Sequence, residues 1–313
     1  MVTLNEVYSS LSVHRRYEVW FIRLGLADGS GAWWFRYLLM NPGRDGCIQS
    51  PQGKPVQVWA TWFPVNGPPQ SFIQGFPVPD LDLSRKGQAP FHFRIGENAI
   101  TEDSCTGALR VDGHDISWTL HYRSTFRVTL SNKGWIGFSR TPHSDAYFSG
   151  EIIFDGRRVA GDPLGFGVQG HNCGYRHRGF WTWAHAYFPR ERKPASTLEA
   201  LVYDMPLGLR FRKAVLWHDG AQHIVTNLRE RVRAADNMTW SFRCAERGGL
   251  RLDAEIVGHP TSIHHLPYVR TDCSGSFEVR NCSLASAQLV LRKPDGSKQK
   301  LETDQGAVLE MVG

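Results

Sequence analysis

Two groups of residues in this chain have the types and spacing for chemistry. In the run from Arg16 to Leu24, Glu18, Trp20 and Ile22 alternate with their neighbours; in the run from Ala32 to Met40, Trp34, Arg36 and Leu38 do the same. In extended chain, residues two apart share a face. If both faces point inward, Glu18 and Arg36 form a buried ion pair beside Trp20, Trp34 and Trp59, because a lone buried charge costs several kcal/mol. Such a pair would orient a ligand carbonyl or hydroxyl among apolar rings. Period two does not say which face is inside, so the wet alternative stays open. The second group is His171-Asn172-Cys173-Gly174, where flanking glycines let the backbone pack closely while two polar side chains enter a cleft. The other reading of His171 and Asn172 is that they satisfy backbone groups at a buried turn.

The segments that must position these groups read as strands. Short runs rich in aromatic and β-branched residues alternate with Gly, Pro, Asn and Asp turn signals, and no dozen residues keep a 3.6 period. Expected strands include 16–24, 32–40, 56–63, 91–95, 107–111 and 116–124, with hairpin turns at ADGSG (27–31) and VDGHD (111–115). FWTWAHAYF, TLEALVYDM, LRFRKAVLWHDG and QHIVTNLRERV are among those that follow. About sixteen strands in all predict an all-β chain of barrels or sandwiches. Residues 161–179 hold six glycines and no strand alternation, so the domain boundary falls there, giving domains 1–170 and 171–313. Gly165-Phe-Gly167-Val-Gln-Gly170 has the dinucleotide-fingerprint spacing but opens no helix, so no cofactor is expected from it.

A Gly-His-Asn-x-Gly element ahead of a W-x-W strand, with an upstream SGEI strand and an early RYEVWF strand, resembles the carotenoid 1,2-hydratase family, which is related to lipocalin-like Diels-Alderases and, more remotely, tocopherol cyclases. The match lies at Arg16 to Trp20, Trp34 to Tyr37, Ser149 to Ile152, Gly170 to Gly174 and Trp181 to Trp183, spread over nearly the whole chain. It implies two tandem lipocalin-like antiparallel β-barrel or sandwich domains and a cofactor-free hydration, cyclisation or pericyclic reaction on an apolar isoprenoid- or polyketide-like molecule. His171, Asn172 and Gly174 match the motif; Cys173 stands where the family has Trp, which predicts extra room at that wall. Reactions of this kind need an acid that protonates an alkene, and the candidates are Glu18, Asp145, Glu151 and Asp204. Trp20, Trp34, Trp59, Trp62, Trp181, Trp183 and Tyr203 are the expected ligand-lining rings. The alternatives are a carrier, which needs no acid, and a carbohydrate-binding module with an open Trp platform.

Composition narrows the partners. The 313 residues are 41% hydrophobic and 12% aromatic, ample for a buried core. The formal charge of +6 comes from 28 Arg and 8 Lys scattered along the chain, so no nucleic-acid partner is expected. Arg229, Arg231 and Arg233 alternate and should share one solvated strand face. His171, His177, His185 and the His264-His265 pair fit no familiar metal spacing, and neither a Ser nucleophile elbow nor an orienting group for Cys173 is apparent. No 18-residue apolar run occurs, and the six cysteines lack any CxxC, so a cytoplasmic protein with reduced thiols is expected. On that reading the sequons at Asn237 and Asn281 are chance matches.

Overall fold

The computed structural model describes residues 4–44, 46–190 and 195–313. Its strands fall into two antiparallel sheets in chain order. The first holds β1 (Tyr17–Leu26), β2 (Gly31–Met40), β3 (Val56–Pro64), β4 (Gln70–Phe76), β5 (Leu81–Leu83), β6 (His92–Ile95), β7 (Asn98–Thr101), β8 (Ser104–Val111), β9 (His114–Arg123), β10 (Val128–Asn132), β11 (Gly137–Phe154) and β12 (Arg157–Gly174). The second holds β13 (Trp181–Phe188), β14 (Ser196–Asp204), β15 (Arg210–His218), β16 (Ala221–Val225), β17 (Arg229–Ala234), β18 (Thr239–Ala245), β19 (Arg251–Val257), β20 (His264–Val269), β21 (Ser276–Arg292) and β22 (Lys298–Val312). Among the described residues the only helical turns are short 3-10 pieces, none long and apolar enough to cross a membrane. The all-β expectation holds, and the two sheets are tandem lipocalin-like domains.

Two compact units result. One comprises Met1–Trp62, Gln70–His177 and Pro267–Phe277; the other comprises Phe63–Pro69, Arg178–Leu266 and Glu278–Gly313. Residues 171–177 thus sit in the first unit, and the division is not a single cut in the chain. The glycine-rich stretch also behaves differently from its sequence reading. It is β12, a strand hydrogen-bonded to β1 on one side and β11 on the other. Its glycines are there because of crowding: a Cβ on Gly167 would strike the Arg23 carbonyl, and one on Gly170 the Phe21 ring. Side-chain alternation vanished from the sequence because neighbours fill the space side chains would need. No helix follows Gly170, which removes the dinucleotide reading.

In the first unit the sheet order is β4-β3-β2-β1-β12-β11-β9-β8-β7-β6-β5, with β10 on β11. Trp20 on β1 nevertheless stacks near Phe93 on β6 (5.8 Å), and Phe35 on β2 against Trp118 on β9 (4.5 Å). Strands that far apart in the ladder can touch only if the sheet rolls around its core. That core is aromatic: Trp20, Phe35, Tyr37, Phe93, Trp118 and Phe148 are all fully buried. Burial satisfies the polar handles as well, since Trp118 Nε1 donates to Tyr37 Oη (2.9 Å), which donates to the Thr106 carbonyl (2.6 Å).

The hairpin turns form as the sequence predicts. Asp112 and Gly113, both at positive φ (53° and 83°), join β8 to β9. In the second unit the order is β16-β15-β14-β13-β22-β21-β19-β18-β17, with β20 on β21, around a core containing Trp240, Phe242 and Leu289. Here two expectations fail. QHIVTNLRERV is not one strand, because β16 ends at Val225 and β17 starts at Arg229. A bulge between Glu230 and Val232 then breaks the alternation. Arg233 consequently turns to the side of buried Trp240, where it donates to Thr182 Oγ1 and the Val312 carbonyl (both 2.8 Å), while Arg229 and Arg231 stay exposed.

Candidate active site

The register of β1 with β2 and β12 decides the first constellation. Glu18 lies opposite Leu39 and Cys173, and Trp20 opposite Tyr37 and His171, on the core side. Phe21 lies opposite Arg36 and Arg23 opposite Trp34, on the other side. The expected Glu18–Arg36 pair therefore does not exist, since the two residues occupy opposite faces of one sheet.

Glu18 has His171 instead. Its Oε1 is 2.9 Å from His171 Nε2, while backbone N–H groups of Tyr8 (2.8 Å) and Ser9 (2.7 Å) donate to the two carboxyl oxygens. His171 Nδ1 donates to the Leu4 carbonyl at 2.7 Å, which fixes the tautomer and leaves one proton to lie between Nε2 and Oε1. Trp20 stacks on the imidazole (4.7 Å), and Trp20 Nε1 donates to the Asn5 carbonyl (3.1 Å). Both partners of the pair are fully buried. The arrangement ties residues 4–9 as a strap to β1 and β12 and engages both carboxyl oxygens and both ring nitrogens within the protein. The buried-turn reading of His171 fits this geometry.

Cys173 completes the strap. Its Sγ is 3.5 Å from Arg16 Nη1 and 3.9 Å from Ser9 Oγ, so these groups occupy the wall where extra room was expected. Burial, reinforced by the Glu18 charge, pushes its thiol up to about 12, which removes a thiolate nucleophile at neutral pH. Asn172 points to the opposite face beside Val19 and Ser139, and its Oδ1 is buried without a hydrogen bond among the described residues. Of the remaining candidate acids, two are structural or exposed, and the third, Asp204, has a buried Oδ1 with no hydrogen bond among the described residues. Asp145 clamps a turn by accepting from Thr125 N, Thr125 Oγ1 and Phe126 N, and Glu151 pairs with Arg158 at the surface (2.6 Å). Asp204 ends β14 opposite Arg210.

Arg36 is where the first unit concentrates unusual chemistry. Its guanidinium carbon lies 4.7 Å from the Trp34 ring centroid, 5.3 Å from Trp59 and 4.8 Å from Tyr268. Trp59 is held by its indole N–H donating to Gln57 Oε1 at 2.9 Å. Next to this cage, His177 stacks on Tyr17 (4.2 Å) and meets Tyr268 (5.8 Å) and Phe277 (5.3 Å). Burial, then the positive charges of Arg36 and Arg270, lower the His177 pKa to about 3 and keep the ring neutral. A guanidinium over aromatic faces with a neutral imidazole beside it sets two nitrogen-bearing groups among apolar rings.

Sequence reading found Trp34, Arg36 and Trp59 together. It raised His177 only as a metal ligand and missed Tyr268 and Phe277, which arrive from the last quarter of the chain. That arrival depends on fastening. Cys47 and Cys273 form a disulfide, Asn41 Nδ2 donates to the Thr271 carbonyl (2.8 Å), and Arg15 pairs with Asp272 (3.4 Å). The expectation of six reduced thiols fails at this pair, because 226 residues of separation hide a Cα–Cα distance of 5.3 Å.

The other ring candidates divide by face. Trp20 belongs to the core, and Trp62 packs half-buried against Trp33 (5.0 Å). In the second unit Trp181 and Trp183 lie on the non-core side of β13 and donate to Glu310 (2.9 Å) and Glu199 (3.1 Å), two carboxylates that sequence reading did not single out. Tyr203 on the same side stacks with Phe211 (4.7 Å). The histidines of the metal alternative have separate duties: His171 holds the strap and His177 the aromatic cluster, while His264 meets Phe63 edge-on and His265 pairs with Glu278.

No family model and no curated protein matches the chain. Solved structures do. The chain is similar to CghA bound to Sch210972 (TM-score 0.64, 15% identity, 96% of this chain and 88% of that one). It is also similar to kievitone hydratase from Nectria haematococca (TM-score 0.58, 11% identity, 100% and 92%). A putative AttH from Nitrosomonas europaea follows (TM-score 0.53, 11% identity, 100% and 98%). At these identities the likeness is one of fold, and it covers both domains.

Proposed function

We propose that this protein is a cofactor-free enzyme of the lyase or isomerase type, acting by hydration, cyclisation or pericyclic reaction on a largely apolar isoprenoid- or polyketide-like molecule. The observation that carries the proposal is the Arg36 guanidinium set among Trp34, Trp59 and Tyr268 with neutral His177 alongside. Two of the similar folds, a hydratase and a protein crystallised with a small organic ligand, support the same direction.

In this reading the rings hold the apolar body of the substrate and Arg36 donates to an oxygen on which negative charge develops, a carbonyl becoming enolate-like. A preorganised donor of that kind contributes about 10²–10³ in rate. His177 donates or accepts one hydrogen bond without adding charge, which keeps the surface attractive to an apolar guest. The catalytic roles expected of Glu18 and His171 pass to Arg36 and His177, because the former pair is sealed in the strap.

Mass spectrometry of an organic extract of the purified protein identifies the ligand class. With that ligand, Arg36→Met is expected to lower kcat/KM by about 10²–10³ while the circular dichroism spectrum is unchanged, and Arg36→Lys to recover only part of it. Full turnover by Arg36→Met would defeat the assignment. A retained ligand with no turnover by the wild-type chain would make the protein a carrier.

A further inference from the structure

The second unit contains a feature that the proposed chemistry does not use. β16 pairs with β15 only from Ala214 to His218, and the chain then leaves the sheet through Thr226, Asn227 and Leu228 to begin β17 at the sheet's opposite edge. Where it departs there is a groove of about 490 Å³ lined by Arg212, Thr226, Asn227, Leu228, Arg229 and Glu230. That volume suits a small organic molecule.

Its charge is unbalanced. Glu230, the single carboxylate of the lining, is already engaged: Oε2 accepts from Arg210 Nη1 (3.2 Å) and Oε1 from Trp240 Nε1 (3.1 Å). Arg212 and Arg229 have no side-chain ion pair or hydrogen bond among the described residues. Arg229 stands directly opposite Arg243 in the ladder, a like-charge pairing that destabilises a sheet. The nearest compensating carboxylate is taken, because Asp253 is shared by Arg243 (2.7 Å), Arg231 (3.6 Å) and Arg292 (3.6 Å). Neighbouring arginines therefore have partners in the fold while the two in the groove have none.

The other lining groups suit an anion. Asn227 Oδ1 accepts from Ala245 N (3.2 Å), which anchors the amide and leaves its NH2 group to donate; Thr226 adds a hydroxyl, and buried Leu228 gives an apolar floor. The geometry points to a binding site for a small molecule bearing a carboxylate or phosphate group, held by forked contacts from Arg212 and Arg229 and donation from Asn227. Guanidinium matches both oxyanions bidentately, so the chemistry is shared between the two sources.

Isothermal titration with inorganic phosphate and with malonate, ionic strength held constant with sodium chloride, tests this. Saturable binding of at least one probe is expected, weakened about tenfold or more in Arg212→Gln/Arg229→Gln and unchanged in Arg231→Gln, whose charge is answered by Asp253. Phosphate binding alone assigns a phosphate ester, and malonate binding assigns a carboxylate. The three substituted arginines lie outside the buried core, and folding is checked by an unchanged thermal transition without probe. Absence of saturation with both probes, or a double variant that titrates like wild type, overturns the site. Because it uses no residue of the Arg36 site, its failure would leave the proposed activity untouched.

Discussion

Lowering the pH should cost this protein stability through His177, and the amount follows from its surroundings. The imidazole is stacked on Tyr17 and flanked by Tyr268 and Phe277, with Arg36 and Arg270 adding positive potential. Burial first, then those two charges, bring its folded pKa down to about 3. An unfolded chain protonates histidine near pH 6.5. The depressed value means that the unfolded state takes up the proton first, so stability is complete above about pH 6.5 and drains as pH falls toward 3. Between pH 7 and pH 5 the loss assigned to His177 is about 2 kcal/mol. His143 and His218 are also lowered by burial and act in the same direction, so the wild-type change alone is not diagnostic. The comparison that isolates His177 is urea unfolding of wild type and His177→Phe at both pH values. The variant should lose about 2 kcal/mol less than wild type over the same interval. Proton NMR of the His177 Cε1–H should show no titration above about pH 4. A His177 resonance titrating near pH 6.5, or equal losses in the two proteins, would refute the aromatic, doubly cationic environment on which the candidate site rests.

Three further outcomes follow from the first unit. Glu18→Ala leaves His171 and the N–H groups of Tyr8 and Ser9 without their buried acceptor, so chemical denaturation should report a loss of about 3–5 kcal/mol; a loss below 1 kcal/mol would show that the strap is dispensable. Gly170→Ala drives a methyl into the Phe21 ring and is expected to lower stability by about 1–3 kcal/mol, read as a lower urea midpoint at unchanged m. Reducing Cys47–Cys273, or replacing both by Ser, releases a cross-link spanning 226 residues, worth about 5 kcal/mol on the chain-entropy model. Hydrogen exchange should then quicken over residues 267–277, and unchanged protection there would mean that Asn41 and Arg15 suffice to hold the segment.

Alternation made much of the fold legible. Residues 17–26, 31–40 and 56–64 are strands because rings and β-branched side chains on one face had a core to enter, and the sequence shows that period directly. Two kinds of information were hidden. Packing against a bare backbone leaves glycine rather than a pattern, which is why β12 resembled a linker. Bulges shift the phase without changing composition, which is why Arg233 left the face of Arg229. At the site, Trp34, Arg36 and Trp59 could be grouped because they sit on neighbouring strands. Tyr268 and His177 could not, since their approach to Arg36 is set by long-range topology and by tethers such as Cys47–Cys273.

The same facts explain why we propose the chemistry on the non-core side of the first sheet. The core side of that sheet holds the buried rings of Trp20, Phe35, Tyr37, Phe93 and Trp118, and the carboxylate among them, Glu18, is engaged by His171 and by two backbone N–H groups. Arg36 meets the opposite condition. Rings with centroids 4.7–5.3 Å from its guanidinium carbon surround its charge, and their faces attract a cation. In the proposed reading, the register that places Glu18 on the other face of the sheet is what sets Arg36 among rings rather than against that carboxylate.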